Sequence, residues 1–579
     1  MTKNKNYKKT KAQPQKQKNE PSRFHPKQKG LYFMPLGGAE QFGVNLNVYC
    51  CDGDILAIDC GLGFADDQYP GIDLLLPDPE FLEEHKNRLK GLIITHAHED
   101  HIGAVAYLYD RLECPLYATK FTAQILRLKL DERGYKHVPV KIIKPRKDFK
   151  IGHFTLSAIP VAHSIPDSCA VFIKTTYGNV LHSGDWNLDP DPVIGVPTNP
   201  DDFKALGEEG VLAYIGDSTN SEYDRRAGSE ALVATGLAAE IKHCKGKVAV
   251  TIFSSNIARI HSIAKAAKDC DRQVCVVGRS LHRMIGAAKT CGYLSDVNFV
   301  AEEDMGYLPD DKVVLITTGS QGEYRAALAR IARGDHGLSL KAGDTVIFSA
   351  RAIPGNERNI SAVKNNLSAG GVKIITPKDT ESIIHVSGHP YQDEIAQMYQ
   401  WVRPQMVIPV HGERLQLEAQ AKFAQKCQIP HVVMPHNGSV IRIAPQENKQ
   451  EAEIIDHVAT GLLAVDQKRI IKSDHQSIVA RRKLQYSGAI HAALVLNEKG
   501  ELLTEPKLDT VGLIDDNDEG ELEFEDTIYN EILDILDDMT WDQRKDDRFV
   551  AEEIRIGLRR YVFHALKIKP KTTIHILRV

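Results

Sequence analysis

One segment constrains this chain more than any other: Gly91-Leu92-Ile93-Ile94-Thr95-His96-Ala97-His98-Glu99-Asp100-His101-Ile102-Gly103. An apolar run with the length of a buried strand passes directly into three histidines and two carboxylates, and helical spacing follows from Ile102 to Leu112. Polar groups buried at a strand end cost free energy unless each has a partner. A lone histidine there is ordinarily a packed core residue, but the full His-x-His-x-Asp-His string has few structural uses. Neutral imidazoles and hard carboxylate oxygens together suit zinc, manganese or iron. His96 and His98 alternate with Ala97, so both rings project to one side, while Asp100 and His101 come from the turn that follows. The string therefore predicts a metal site with donors enough for two ions.

The rest of the sequence says what surrounds that site. At 579 residues the chain is long enough for two to four domains. With 42% hydrophobic and 26% charged residues, and no apolar run near the roughly 18 needed to cross a bilayer, the composition is globular and excludes a spanning helix. The basic start has no hydrophobic stretch after it, which argues against a secretory signal, so a cytoplasmic protein is expected. Ten cysteines without a Cys-x-x-Cys pair fit reduced core thiols better than disulfides.

Residues 1–30 hold nine lysines, Arg23 and a single acid, Glu20; this +9 within a total of −5 leaves −14 for the remainder. Such a segment has little to bury and is expected to be a disordered basic arm, either solubilising or weakly attracted to a polyanion. Residues 31–221 show short strands and hairpins, among them 47–51 with 55–59 and 170–174 with 180–182. From 222 to 375 the pattern becomes strand, helix, strand, which predicts a parallel sheet covered by helices. Met406–Val410 then reads as a buried strand of the first kind, so the middle unit is expected to be an insertion, with 376–450 completing the first domain. A linker at 451–460 and a small α/β domain at 461–579 are expected last. The carboxylate run from Asp515 to Asp526 has the composition of a solvated loop.

The histidine string and the motifs that follow it resemble the metallo-β-lactamase superfamily. Asp59 in Ala57-Ile58-Asp59-Cys60-Gly61, His163 in Pro160-Val161-Ala162-His163-Ser164 and Asp185 in Leu181-His182-Ser183-Gly184-Asp185 match its further motifs in order. Three more segments are similar to motifs A, B and C of the β-CASP nucleases: Gly216-Asp217-Ser218-Thr219-Asn220, His385-Val386-Ser387-Gly388-His389 and Pro409-Val410-His411-Gly412-Glu413. The resemblance implies an αββα sandwich with an inserted β-CASP parallel-sheet domain and a small carboxy-terminal α/β domain. It implies two divalent ions, Zn²⁺ or Mn²⁺, one held by His96, His98 and His163, the other by Asp100, His101 and His411, with Asp185 between them and Asp59 behind the ligands.

By the same resemblance the reaction is cleavage of RNA phosphodiesters, 5′-to-3′ from a 5′-monophosphorylated single-stranded end and also internally. His389 would be the general acid, oriented by Asp217, with Asp185 at the reacting centre. Ser320, His385, Ser387 and His389 would bind a substrate phosphate, although Ser320, in a Gly-Ser-Gln-Gly turn, is as well explained as the cap of a following helix. Arg351, Asn356 and Arg358 could reach phosphates or lie in a solvated loop; His182, Trp186 and His436 fit packing better than ligation. Single-stranded RNA, a dimer or tetramer and RNA-degradation partners such as a helicase are the implied partners, with no membrane. Two other readings compete: a small-molecule metallohydrolase, which leaves the insertion without a use, and a non-catalytic RNA-binding subunit, which leaves the intact motifs without one.

Overall fold

The computed structural model describes residues 24–445, 452–514 and 520–579. Most of the expected arm, residues 1–23, lies outside them. Its last residues do not behave as an arm: Phe24 is buried, and its backbone N–H donates to Asp456 Oδ2 at 2.6 Å. The described chain thus packs before Gly30.

Two sheets pack face to face. The first has eight strands in the order Glu453–His457, Ser439–Ala444, Leu31–Gly37, Leu46–Cys51, Asp54–Ile58, Leu89–Ile94, Leu116–Ala118 and Val140–Ile142. The second has seven: Phe149–Ile151, Phe154–Pro160, Cys169–Thr175, Gly178–His182, Ala213–Asp217, Met406–Val410 and His431–Val432. Strand alternation sorts the side chains between layers. Val171 and Ile173 enter the core between the sheets with Phe33, Tyr49, Leu56 and Ile93. Ala170 and Phe172 face the other way and pack with Leu181, Tyr214 and the helical residues Phe203, Ile395, Met398 and Val402. With helices such as Lys120–Glu132 in the chain after the first sheet's strands, this is the expected αββα sandwich.

Residues 248–375 form a separate five-stranded sheet, parallel throughout, in the order Gln273–Val277, Val313–Thr317, Val248–Thr251, Thr345–Phe348 and Lys373–Ile375. Its central strand Val-Ala-Val-Thr is buried on both faces, which is why its sequence shows no polar alternation. The insertion has a structural consequence. Ala213–Asp217 and Met406–Val410 flank it in sequence yet are paired neighbours, with Asp217 opposite Val410. The chain leaves the sandwich and returns beside its own exit, setting Asp217 and His411 at one strand end.

Several local expectations change. The helix expected over 102–112 is two helices, Glu99–Ile102 and Val105–Leu112. Between them Gly103 sits where a Cβ would meet Leu62 Cγ at 2.5 Å. The Gly319–Gly322 turn does not open a helix; the next one is Ala327–Arg333, so Ser320 is not its cap. The 451–460 segment, expected as a linker, carries strand Glu453–His457 on the edge of the first sheet.

A second compact unit comprises Phe64–Leu75 and Leu462–Val579. Its three-stranded sheet runs Lys507–Val511, Ala489–Leu496, Lys571–Arg578. Ile490, Ala492, Leu494 and Leu496 alternate onto one face and are covered by Ile528, Ile532, Val550, Ile554 and Leu558 of helices Gly520–Asp537 and Asp547–Leu566. The first of these helices starts at Gly520, so the later part of the carboxylate run, residues 520–526, is helical and not the expected loop; its start, residues 515–519, lies outside the described residues. All ten cysteines are free thiols. No helix among the described residues is long and apolar enough to cross a membrane.

Candidate metal centre

The site is built where buried strands end. Asp59 follows Asp54–Ile58, His96 and His98 follow Leu89–Ile94, His163 follows Phe154–Pro160, Asp185 follows Gly178–His182, and His411 follows Met406–Val410. Asp59 and His411 take left-handed backbone conformations, φ 62° and 58°. Such a conformation in a non-glycine residue costs of order 1 kcal/mol and persists where neighbours hold it. Here the His411 N–H donates to Gly38 O at 2.8 Å and the Asp59 N–H to Ile93 O at 2.8 Å. Gly61 is required by close approach, because a Cβ there would lie 1.5 Å from the Asp100 carbonyl oxygen.

These ends bring the seven predicted ligands into two overlapping groups. His96, His98, His163 and Asp185 form one; Asp100, His101, His411 and Asp185 form the other, the donor atoms of each lying within 4.8 Å of one another. Asp185 belongs to both. Its Oδ2 lies 3.2 Å from His101 Nε2, 3.5 Å from His411 Nε2, 3.7 Å from His96 Nε2 and 3.9 Å from His163 Nε2.

The hydrogen bonds behind the rings decide which nitrogens face inward. Thr95 Oγ1 donates to Asp59, so it must accept from His96 Nδ1 at 3.0 Å. Thr219 Oγ1 donates to Asp217 Oδ1 at 2.7 Å and accepts from His411 Nδ1 at 2.9 Å. His101 Nδ1 donates to Asp59 Oδ2 at 2.7 Å, and His163 Nδ1 to the Gly388 carbonyl at 2.7 Å. Four Nε2 atoms therefore point into the centre. His98 adds Nδ1, 3.0 Å from both His96 Nε2 and His163 Nε2. One proton on His98 Nδ1 serves one of these neighbours and leaves the other contact for a cation, and among the described residues Asp185 Oδ2 is buried without a well-formed hydrogen bond. The donor set fits a divalent metal ion.

The electrostatics divide these rings into two kinds. Burial, and then the neighbouring imidazoles, hold His96 well below its ordinary value. Burial brings His98 down to about 4 and His163 to about 3, keeping both neutral as ligation requires. Burial also opposes charge on His101 and His411, but the surrounding carboxylates, Asp185 foremost, raise both well above the usual range. Despite its own burial, Asp185 is held far below the carboxylate range by His101 and His411.

His389 stands next to this cluster and is part-exposed. Its Nδ1 donates to Asp217 Oδ2 at 2.8 Å and lies 3.8 Å from Asp185 Oδ2. Burial works against its protonated form, but Asp217 and Asp185 outweigh that and raise its pKa. Among the described residues its Nε2 makes no hydrogen bond. Ser387 joins this residue: Asn220 Nδ2 donates to Ser387 Oγ at 2.9 Å and to the His389 carbonyl at 3.2 Å, while Ser387 Oγ accepts from the His389 N–H at 3.2 Å. His385 is elsewhere in the network, with Nδ1 3.3 Å from Arg259 Nη1; burial and then that guanidinium bring it down to about 3. Ser320 is buried and accepts from Gln321 Nε2 at 3.4 Å; among the described residues no hydrogen bond joins it to His385, Ser387 or His389.

Of the other residues, Arg351 Nη1 donates to Asn220 Oδ1 at 3.0 Å, and Asn356 Nδ2 to Gln321 Oε1 at 3.4 Å. Arg358 is exposed. His182 bonds Tyr49 through Nδ1, Trp186 is fully buried, and His436 pairs with Glu40 at 2.6 Å. Thr95, Thr219, Asn45 and Gly388 were not singled out in the sequence. Asn45 Nδ2 donates to the Asp100 carbonyl at 2.9 Å. Gly388 has no Cβ because one would meet Ser164 Oγ at 2.8 Å and His163 Cε1 at 2.9 Å. Thr219, two residues after Asp217, and Thr95, next to His96, were legible as parts of motifs, but not as the groups that set imidazole tautomers.

Comparison with known proteins gives the same picture in segments. A beta-lactamase superfamily domain matches residues 56–201, a Ribonuclease J beta-CASP domain 245–367, a Zn-dependent metallo-hydrolase RNA specificity domain 361–435, and a Ribonuclease J C-terminal domain 477–579. Ribonuclease J of Sinorhizobium meliloti is 41% identical over 556 residues, spanning 95% of this chain and 97% of the relative. Ribonuclease J of Mycolicibacterium smegmatis is 39% identical over 445 residues, 76% and 78% respectively. That of Helicobacter pylori strain J99 is 34% identical over 496 residues, 84% and 71%. The crystal structure of a protein of unknown function from Enterococcus faecalis V583 shares the fold, with a TM-score of 0.50 at 15% identity over 71% of this chain and 99% of its own. Fold and donor set together define a metal-dependent hydrolase of the metallo-β-lactamase type with a β-CASP insertion. Identity at this level over nearly the whole length then settles the branch. The chain belongs to the ribonuclease J family, whose members are metal-dependent nucleases.

Proposed function

We propose that this protein is a two-metal-ion ribonuclease acting 5′-to-3′ from 5′-monophosphorylated ends of single-stranded RNA, with internal cleavage as a second activity, in RNA maturation and decay. The observation that carries the reading is the 2.8 Å bond between Asp217 and His389, set against a donor cluster that shares Asp185. A small-molecule hydrolase of this fold has no use for that pair, and a scaffold subunit has no use for an intact cluster.

Two divalent ions, Zn²⁺ or Mn²⁺, held by His96, His98, His163 and Asp185 and by Asp100, His101, His411 and Asp185, would supply a water of lowered pKa and positive charge beside the phosphoryl oxygens. The chain's own residues do the rest. Asp59, Thr95, Thr219 and Gly388 fix imidazole tautomers so that lone pairs face the centre. Asp217 orients His389 and favours its protonated form, and His389 Nε2 gives a proton to the departing ribose oxygen. Ser387, with the Asn220 amide behind it, and His385 offer donors for a terminal phosphate; Ser320 supports that pocket less directly, from the turn after strand Val313–Thr317. Family likeness supports a cytoplasmic homo-oligomer, dimer or tetramer, working with RNA-degradation partners such as a helicase.

The test is cleavage of 5′-monophosphorylated RNA, 5′-triphosphorylated RNA, DNA and a lactam by the full chain in Mn²⁺ or Zn²⁺, with His98→Ala, Asp185→Ala and His411→Ala beside it. Processive shortening of the monophosphorylated RNA, lost in all three variants while circular dichroism is unchanged, is the expected result. Equal decay of both RNA ends would remove the discriminating pocket; wild-type turnover in any variant would refute the ligand scheme.

A further inference from the structure

Two exposed aromatic rings are tied to opposite ends of the catalytic row. Single exposed aromatics are ordinary on a protein surface; what distinguishes Phe42 and Tyr223 is what holds them. Phe42, 40% exposed, has its ring centroid 6.1 Å from that of His411 at 78°. It is carried by a short ladder in which Ala39 and Glu40 pair with Gly412 and Glu413 and Gln41 bridges to Gly412, so it moves with the His411 backbone. His411 is stacked on His389 at 5.5 Å.

Beyond His389 the contacts continue through Asn220 to Arg351, whose guanidinium carbon lies 5.7 Å from the Tyr223 ring centroid. Arg225 lies 5.3 Å from the same centroid and 4.4 Å from that of Tyr391, and donates to the Tyr391 hydroxyl at 2.8 Å. The Tyr223 carbonyl accepts from the Gln392 N–H at 3.3 Å. Tyr223 itself remains 42% exposed. A ring held by its backbone and by two cations, with a face still open beside a phosphate-handling site, is a platform for a flat π-system. The bond to Asn220 occupies one of the five guanidinium donors of Arg351, leaving others for a phosphate oxygen.

We infer that Phe42 and Tyr223 are nucleobase-stacking platforms on the two sides of the reacting phosphate, with Arg225 and Arg351 holding the Tyr223 face and countering backbone charge. This rests on the nuclease reading and deepens it: bases can reach both rings only when unstacked from a duplex, which selects single strands without reading sequence.

The test uses the full chain with a set of 5′-monophosphorylated oligoribonucleotides, each lacking one base near the 5′ end. Kd is measured by fluorescence anisotropy in EDTA, and kcat and KM in Mn²⁺. For the wild type, loss of the base at one position should weaken binding about 5- to 150-fold, in line with stacking on a single ring. Tyr223→Leu should show that loss on intact RNA and no further loss on the RNA abasic at its position, while Tyr223→Phe retains wild-type behaviour. Phe42→Leu should do the same at a different position. Tyr307→Leu, at an exposed ring away from these contacts, serves as control. In all of them kcat and its pH profile should hold. Abasic and intact RNA bound and cut alike by the wild type would overturn the platforms and leave the nuclease reading standing, as would variant and abasic losses that simply multiply. Base-dependent binding without any cleavage would sustain the platforms and sink the nuclease reading instead.

Discussion

Glu394 is fully buried, yet among the described residues no cation is bonded to its carboxylate; three backbone N–H groups from three parts of the chain satisfy it. Oε1 accepts from Leu188 at 2.9 Å, and Oε2 from Ala227 at 2.9 Å and Tyr391 at 3.0 Å. Leu188 lies three residues after Asp185, Ala227 opens the insertion, and Tyr391 lies two residues after His389. One side chain therefore ties together the segment after Asp185, the start of the insertion and the segment after His389. In Glu394→Gln the amide oxygen keeps the Ala227 and Tyr391 bonds, but its NH₂ is turned against the Leu188 N–H. A hydrogen bond to a charged group contributes about 1.5–3 kcal/mol, and a buried donor left unpaired costs about 1–3 more, so the expected loss is about 3–5 kcal/mol. That should lower the melting temperature of the metal-loaded protein by a few degrees, and by more in Glu394→Ala. Because His389 is displaced while the ligand cluster stays intact, kcat should fall with metal content unchanged. Calorimetry, metal analysis and single-turnover cleavage on one preparation read all three quantities. A Glu394→Gln protein with wild-type melting and wild-type kcat would refute the reasoning.

Other expectations follow from the tautomer and charge network. Asp217→Asn removes the carboxylate that raises His389, so the proton is lost at lower pH. The alkaline limb of the kcat profile should then move to lower pH, and an unmoved limb would mean another group is the acid. Asp59→Asn weakens the support behind His101 and should cost about 10–100-fold in metal affinity, measured by competition against a coloured chelator. Chelation of the wild type should lower its melting temperature in proportion to RT ln(1 + [M]/Kd), about 3–4 kcal/mol at 100–1,000 times Kd. Equal melting with and without EDTA would contradict the convergence of lone pairs. The buried thiols of Cys60 and Cys169, pushed up by burial, should resist alkylation at pH 8 until the protein unfolds.

What could be seen in the sequence, and what could not, divides by the range of the interaction. His96, His98, Asp100 and His101 are close in sequence, and a strand end next to a turn places them whatever the rest of the chain does. His163, Asp185 and His411 were each marked by the short buried strand before it, because the donors are presented where these strands end. Elements whose partners lie far along the chain were not visible. Glu453–His457 has the length and polarity of a linker and becomes a strand only because the edge of Ser439–Ala444 is open beside it. Phe64–Leu75 has nothing local to mark it as part of the unit formed by Leu462–Val579. Thr95 and Thr219 are the more instructive omissions. A hydroxyl carries one proton, so once it donates to an aspartate it can only accept from an imidazole, and that single choice turns the ring's other nitrogen into a ligand. The identity of such a residue is local, but its consequence depends on two partners from separate strands, Asp59 with His96 and Asp217 with His411. Motif spacing identifies the atoms able to bind a cation; only the packed sheet ends determine which of those atoms carry the protons, and therefore whether the cluster can bind one at all.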